Sequence, residues 1–563
     1  MTDSPTRRTG GRILVDQLLA QGVDRLFTVP GESFLAVLDA LHDSPEIDVV
    51  VCRQEGGVAY MADADGKMTG RPGIAFVTRG PGATNASAGV HVAMQDSTPM
   101  ILFVGDLDRG DRDREGFQEI DFAAFFSPIA KWAARIDDAR RIPEYVARAF
   151  RVATAGRPGP VVLALPEDML REEVEAIDRP AITPAAIAPD PGAIAALHEL
   201  LKDAASPIAI VGGANWDPCA AHYFARWAER VGLPVAAAFR RQDAVANDCP
   251  VYAGQLGYGP NPKLQQRVRD ADLVLAVGAR LGEATTDGYT LLTPDHPDQI
   301  LVHVHPDPNE LSRVYRTDLP IVADMAEFAE TLDAWEDDDL VRFGAGEDAH
   351  AEWREWSTAE PRDGVTLDLG PCVAAMRERL PADTIVCNGA GNFSGWWHRY
   401  WGYAATPAQL APTSGTMGYG LPAAVAAKRR FADRTVVCVA GDGDFLMNGQ
   451  ELATAAALGL DLLVLVIDNG SYGTIRMHQE RDYPNRISAT GLATGNPDFA
   501  ALASAFGGWG ERVETTADFA PALDRAMERD GIRLLHLVTD VEIISNATTL
   551  DALRKRATDK DSE

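Results

Sequence analysis

Apolar residues fall along this chain in short unbroken runs separated by amphipathic stretches, with little strict alternation. The runs VVCVA at 436–440, LLVLVI at 462–467 and LVLAV at 273–277 are apolar on both faces of an extended chain. Strands of a parallel sheet covered by helices on both sides read this way. Strand-like and helix-like segments alternate through three compositional blocks, which predicts an α/β fold of three doubly wound parallel-sheet domains. The expected domains are residues 1–178, 193–337 and 363–545, with a tail at 546–563. A Pro/Ala-rich stretch at 179–192, RPAITPAAIAPDPG, reads as an extended linker, and the acidic run WEDDD at 335–339 closes the second block. The tail, ending RKRATDKDSE, reads as a short helix with a frayed end.

Composition narrows the function classes. The 563 residues carry 82 acidic against 52 basic side chains, a formal net charge of −30, so nucleic acid and anionic membrane are poor partners. Neither a transmembrane run nor a signal-peptide core is evident, and six scattered cysteines without a CxxC read as buried free thiols of a cytoplasmic protein.

The densest chemistry lies at residues 436–469. One apolar run ends in Gly441-Asp442-Gly443, a helix-like segment follows at 448–460, and a second run ends in Asp468-Asn469. A strand–helix–strand unit of this kind sets Asp442 and Asn469 side by side at the carboxyl ends of neighbouring strands, where open α/β sheets bind ligands. An Asp oxygen and an Asn carbonyl oxygen, with glycines admitting the backbone, suit a hard cation holding a phosphate. The tripeptide GDG alone reads equally as a strand-to-helix turn. In the first block, Glu55 opens a helical stretch after RQ, where a carboxylate also serves as a cap, and RGPGATN at 79–85 forms a glycine-rich turn between strand and helix.

Taken together these segments resemble the acetolactate synthase-like thiamine-diphosphate enzymes, in one collinear order over nearly the whole chain. RQEGG, GRPGIAFVTRGPGATN, GFQEIDF and SPIAKW are similar to their pyrimidine-binding domain. PTSGTMGYGLPAAVAAK, VAGDGDFLMNGQEL and VIDNGSYGTI are similar to their diphosphate-binding domain, and IVGGAN with DADLVLAVGARLGE resembles the central domain less specifically. The resemblance implies thiamine diphosphate and Mg2+ as cofactors. Glu55 takes the place of the glutamate that exchanges a proton with the aminopyrimidine ring from an apolar pocket. The Gly415 carbonyl accepts from the exocyclic amine, and Met417 forces the cofactor into its bent shape. Asp442, Asn469 and the Ser471 carbonyl match the metal ligands. Gly441, Gly443, Asp444, Tyr472 and the loop containing Asn388, Gly391, Asn392 and Phe393 would meet the diphosphate, with the Asp444 carboxylate turned away from phosphate.

The reaction implied is decarboxylation of a 2-oxo acid and transfer of the resulting acyl carbanion equivalent to a second carbonyl. The adjacent His pair of pyruvate-decarboxylase-like members is missing, and Ile475 stands near the position of their later acid. Phe117, Gln118 and Lys131 match the acetolactate synthase pattern instead, with Gln118 a hydrogen-bond donor to the bound intermediate or simply a surface residue. Non-oxidative decarboxylation, 2-hydroxyacyl-CoA cleavage and a non-catalytic cofactor-binding role are the alternatives.

The chain also departs from the pattern. Met477-His478 replaces the usual Gln-Trp pair, which leaves the second substrate open and makes His478 a substrate candidate. GARLGEA replaces GARFDDR at 278–284, which leaves FAD binding open. His91 reads as structural. Arg240 and Arg280 are candidates for an anionic substrate tail or a nucleotide, while Arg241 reads as a salt-bridge residue. The aromatic segment FSGWWHRYWGY at 393–403 reads as substrate channel or subunit interface. The family places its active site between subunits, so a homodimer or homotetramer is implied, with Glu55 of one chain facing the diphosphate site of another.

Overall fold

The computed structural model describes residues 7–213, 215–296, 298–336 and 340–560. The first six residues, part of the acidic run that ends the central block (337–339, including that block's expected boundary) and the last three residues of the tail lie outside them. Among the described residues, three six-stranded sheets are present, each with every neighbouring pair parallel. The expected α/β class of three parallel sheets is therefore what the chain adopts. A small antiparallel ribbon, Arg7–Thr9 with Glu173–Glu175, adds to them. No described helix is long and apolar enough to cross a membrane.

The chain divides into two compact units. The first comprises Met1–Ala185 with Val425–Arg430 and contains one sheet. Its strands run in the order Asp48–Val51, Arg25–Thr28, Gly73–Val77, Met100–Asp106, Pro160–Pro166 and Trp132–Arg135. Chain order reverses between Arg25–Thr28 and Gly73–Val77, so the ligand crevice of such a sheet opens where these two strands end. Two helices follow from local signals. Gln54 caps Glu55–Thr69 by accepting from the Gly57 N–H at 3.2 Å, and Gly70 ends that helix at φ 66°. The second, Pro81–Asp96, starts with proline at its first turn.

The second unit, Ala186–Ala424 with Phe431–Glu563, contains the other two sheets. Three helices of the central sheet begin at Asp or Asn followed by Pro: Asp190 caps Pro191–Asp203, Asp217 caps Pro218–Val231 and Asn261 caps Pro262–Asp270. The last sheet runs Gln409–Leu410, Ile385–Asn388, Val436–Gly441, Leu462–Asp468, Ile532–Val538 and Trp509–Val513. Its chain order reverses between Ile385–Asn388 and Val436–Gly441, so its crevice lies where residues 388–393 and 441–444 leave their strands.

Three expectations need correction. The helix expected at 448–460 is shorter, a 3-10 turn Gly449–Glu451 running into helix Leu452–Ala457, and a separate one-turn helix, Asp442–Phe445, precedes it. Asn448 separates the two: its side-chain amide donates to the Gly418 carbonyl at 2.9 Å, and its backbone lies at φ −140°. The aromatic segment is core rather than channel or interface: Trp396, Trp397, Trp401 and Tyr403 are all buried in the last sheet's cluster. Of the cysteines, Cys219 is exposed and the other five are buried. In the tail, Leu550–Lys560 is helical.

Candidate functional site

In the first unit, the candidate residues are built on two helices that touch through a glycine. A Cβ on Gly89 would lie 2.3 Å from that of Ala59, so helices Glu55–Thr69 and Pro81–Asp96 approach as closely as backbone allows. One turn earlier on each helix stand Glu55 and Asn85, and the Asn85 amide donates to Glu55 Oε2 at 3.0 Å. Gly82 passes beside the same carboxylate, 3.5 Å from Oε1 at the position a Cβ would take. Glu55 is half-buried in this unit, less enclosed than the apolar pocket expected for it.

The loop carrying Phe117 and Gln118 is held from two sides. Arg79, buried, donates to the Phe117 carbonyl at 3.1 Å and to Glu32 at 2.9 Å. Glu119 accepts from the N–H groups of Asp113 and Gly116 at 2.7 and 2.8 Å, folding the loop on itself. Gln118 is half-buried with φ 65° and packs on Gly80, whose own φ is 53°. Phe117 is 70% exposed. Lys131 commits its ammonium to the Ala155 carbonyl at 2.7 Å, and His91 is exposed on its helix.

In the second unit, the candidate residues follow from strand register. Gly441 pairs with Ile467, which brings Asp442 beside Asp468 and next to Asn469. Asn496, a residue that carried no signal in the sequence, bridges the two carboxylates: its amide donates to Asp442 Oδ2 at 2.8 Å and to Asp468 Oδ1 at 2.9 Å. His536 meets the other oxygen of Asp468 at 3.0 Å. Burial raises the Asp442 carboxyl, the Asn496 bond offsets part of that rise, and the Asp468 charge adds to it. Burial acts on Asp468 too, but His536, the Gly470 N–H and Asn496 hold it below the usual carboxylate range. Asn469 Oδ1 accepts from the Ser471 N–H at 3.0 Å, and the Ser471 hydroxyl donates to the Thr490 carbonyl at 2.9 Å, fixing the turn in which the Ser471 carbonyl sits.

Around this pair, glycines leave room for backbone. Gly443 lies against the Tyr472 ring, where a Cβ would come to 2.6 Å. Gly415 has φ 67° and open space where its Cβ would be, and Met417 is half-buried beyond it. Asn388 is fully buried, whereas Gly391 and Asn392 are half-buried and Phe393 is buried beneath them. Asn392 exchanges hydrogen bonds with Thr474 at 3.1 and 2.9 Å, tying this loop to helix Gly473–Asp482. That helix carries His478, which is exposed. Asp444 turns toward protein: its Oδ1 accepts from Gly418 and Ala390 N–H groups at 2.7 and 3.3 Å. Burial pushes its carboxyl up to about 7, against those N–H groups and the charge of Arg240.

Arg240 is buried and donates to the carbonyls of Gly389, at 3.1 Å, and Pro412. Arg241 pairs with Asp243 at 3.5 Å and donates to the Gly213 carbonyl. Arg280 is half-buried after Gly278, a residue with φ 71°.

Comparison with known proteins adds the family. Residues 8–125 match the thiamine pyrophosphate enzyme N-terminal TPP binding domain, residues 194–332 its central domain and residues 389–537 its C-terminal TPP binding domain. An acetolactate synthase large subunit of Parasynechococcus marenigrum is 32% identical over 91% of this chain and 84% of its own length. The acetolactate synthase isozyme 2 large subunit of Escherichia coli is 30% identical over 94% of this chain and 95% of its own. An acetolactate synthase of Bacillus subtilis is 30% identical over 95% and 94%. With a match to each of the three domain types in one order, and relatives aligned nearly end to end, the chain belongs to the acetolactate synthase-like family of thiamine pyrophosphate enzymes.

Proposed function

We propose that this enzyme uses thiamine diphosphate and Mg2+ to decarboxylate a pyruvate-like 2-oxo acid and join the remaining acyl unit to a second carbonyl. The observation that carries the cofactor half of this reading is the strand register that leaves Asp442 beside Asn469 at the mouth of the last sheet's crevice. The donor set fits the ion. Asp442, Asn469 and the Ser471 carbonyl are three hard oxygens with a single carboxylate, which leaves octahedral positions for phosphate oxygens and water.

Bound thiamine diphosphate supplies a carbon nucleophile and an electron sink for decarboxylation. The protein's own part is proton transfer, orientation and exclusion of water. Glu55, steadied by Asn85, exchanges a proton with the aminopyrimidine ring nitrogen. The Gly415 carbonyl accepts from the exocyclic amine, in a backbone conformation with φ 67° that glycine adopts without cost. Met417 supports the bend between the rings. Gly441, Gly443, Asp444, Asn388, Gly391, Asn392, Phe393 and Tyr472 cradle the diphosphate, chiefly through backbone N–H groups at the start of the one-turn helix Asp442–Phe445.

Gln118 and Phe117 face the reacting carbonyl, with Lys131 and His478 further out. A second copy of the chain completes the site, Glu55 coming from one protomer and Asp442 from the other. Leu446 and Met447, 45% and 48% exposed directly after the Asp442–Phe445 turn, supply apolar surface for that contact. Incubation with pyruvate, thiamine diphosphate and Mg2+ tests the reaction: acetolactate is the expected product, and free acetaldehyde alone would replace carboligation with simple decarboxylation.

A further inference from the structure

Two buried residues, a guanidinium donor and a carboxyl acceptor, hold the same two loops. Arg240 leaves the central sheet after strand Val235–Ala237 and spans both loops as a donor, through the Gly389 carbonyl at 3.1 Å and the Pro412 carbonyl. Asp444 spans the same loops as an acceptor, through the Ala390 N–H at 3.3 Å and the Gly418 N–H at 2.7 Å. Each residue therefore bonds one group in 389–390 and one in 412–418. Packing makes the arrangement tight: a Cβ on Gly389 would fall 2.1 Å from Asp444 Oδ1. Arg240 also holds φ 58°, a conformation costly for a side chain of its size and retained where the surrounding contacts overrule it.

We infer that Arg240 and Asp444 are a paired positioning device that fixes the spacing between loop 388–393 and loop 412–418, and with it the width of the cofactor cleft. The inference rests on the cofactor reading for the purpose of the cleft, though not for the clamp itself. A guanidinium fork is suited to two carbonyls on separate segments, because its N–H groups diverge in a fixed plane. A carboxylate offers the matching acceptor to two amides. Neither side chain need touch the ligand; each acts through backbone that does, the N–H of Asp444 included.

Hydrogen exchange on the full-length apoprotein, read at peptides covering 388–393 and 412–418, tests the clamp without cofactor. Arg240→Met and Asp444→Ala are each expected to speed exchange in both loops by roughly tenfold, the scale of one lost buried hydrogen bond to a charged group. Asp444→Asn retains a side-chain oxygen for both amides and is expected to stay within about threefold of wild type. Should Arg240→Met fail to fold, Arg240→Lys keeps the charge without the fork and is expected to release one loop while protecting the other. An Arg240→Met or Asp444→Ala that leaves both loops at wild-type exchange, an Asp444→Ala that loosens one loop only, or an Asp444→Asn no better than Asp444→Ala would overturn the pairing. Titration of the same proteins with thiamine diphosphate and Mg2+ separates the two ideas. No binding by wild type removes the cofactor reading, while the exchange pattern decides the clamp. If both hold, affinity falls by roughly tenfold in Arg240→Met and Asp444→Ala and recovers in Asp444→Asn.

Discussion

Asn85 donates its side-chain amide to Glu55 at 3.0 Å, one helical turn before the Ala59–Gly89 contact that brings their helices together. The bond fixes one carboxylate oxygen and leaves the other to a ligand. Glu55→Gln is expected to bind thiamine diphosphate within a few-fold of wild type while turnover falls by about 10³-fold, within the range of general acid–base catalysis. Asn85→Ala is expected to lower kcat by roughly tenfold with little change in KM, because it frees the carboxylate without removing it. Steady-state kinetics alongside cofactor titration check both. Loss of cofactor binding as the main effect of Glu55→Gln would contradict its role.

Asn496 is the bridge between two adjacent carboxylates, and its removal leaves Asp442 and Asp468 facing each other. Residues that orient a metal ligand typically carry about 10–100-fold of affinity. Asn496→Ala is expected to weaken Mg2+ binding by that amount, measured by calorimetric titration of the cation at saturating thiamine diphosphate. Unchanged affinity would show that Asp442 holds its orientation unaided.

Gly80 supports the loop of Gln118. A Cβ there would come 2.6 Å from that of Gln118, on a backbone with φ 53°. Gly80→Ala is expected to cost about 1–3 kcal/mol of stability through strain and displacement of the loop. Urea midpoints measure that cost, and kcat/KM for carboligation is expected to fall with it.

Acid sensitivity follows from buried histidines in the second unit. Burial, with the neighbouring His303 adding to it, lowers His305 to about 4, and burial next to Arg240 lowers His398 to about 3. Their folded-state values lie below the ordinary 6.5, so the unfolded chain binds more protons between those values. The stability these neutral rings contribute is present above pH 6.5 and is lost as pH falls through that window. Between pH 6.5 and pH 5 each is expected to cost about 1.6 kcal/mol, because the slope rises to its full ~1.4 kcal/mol per pH unit only once the unfolded ring is protonated. Urea unfolding at the two pH values checks this, and His305→Gln is expected to show a smaller loss than wild type. An equal loss in the variant would remove His305 from the account.

Much of the fold is legible in the pattern of residues. LVLAV at 273–277 and the runs at 436–440 and 462–467 are strands because an all-apolar segment bounded by glycine or acid has only a doubly covered sheet in which to bury both faces. Asp442 and Asn469 are legible for the same reason, since strand ends put them at a sheet mouth. The helix within 448–460 is legible, but its separation from the turn at 442–445 is not, because Asn448 finds its partner at Gly418, thirty residues back in the chain, and no local propensity reports that bond. The aromatic run at 393–403 looked like channel or interface because composition does not distinguish a Trp-rich core from a Trp-rich surface.

Sequence alone determined the parallel α/β class, the family resemblance and the residues proposed to hold cofactor and ion, because these depend on periodicity and on motifs contiguous in the chain. Tertiary structure decided the supports. Asn85 under Glu55, Asn496 between Asp442 and Asp468, and Arg240 opposite Asp444 each join segments far apart in sequence. A hydrogen bond of that kind depends on where two backbones come to lie after packing, and nothing in the spacing of residues along one strand or helix encodes it.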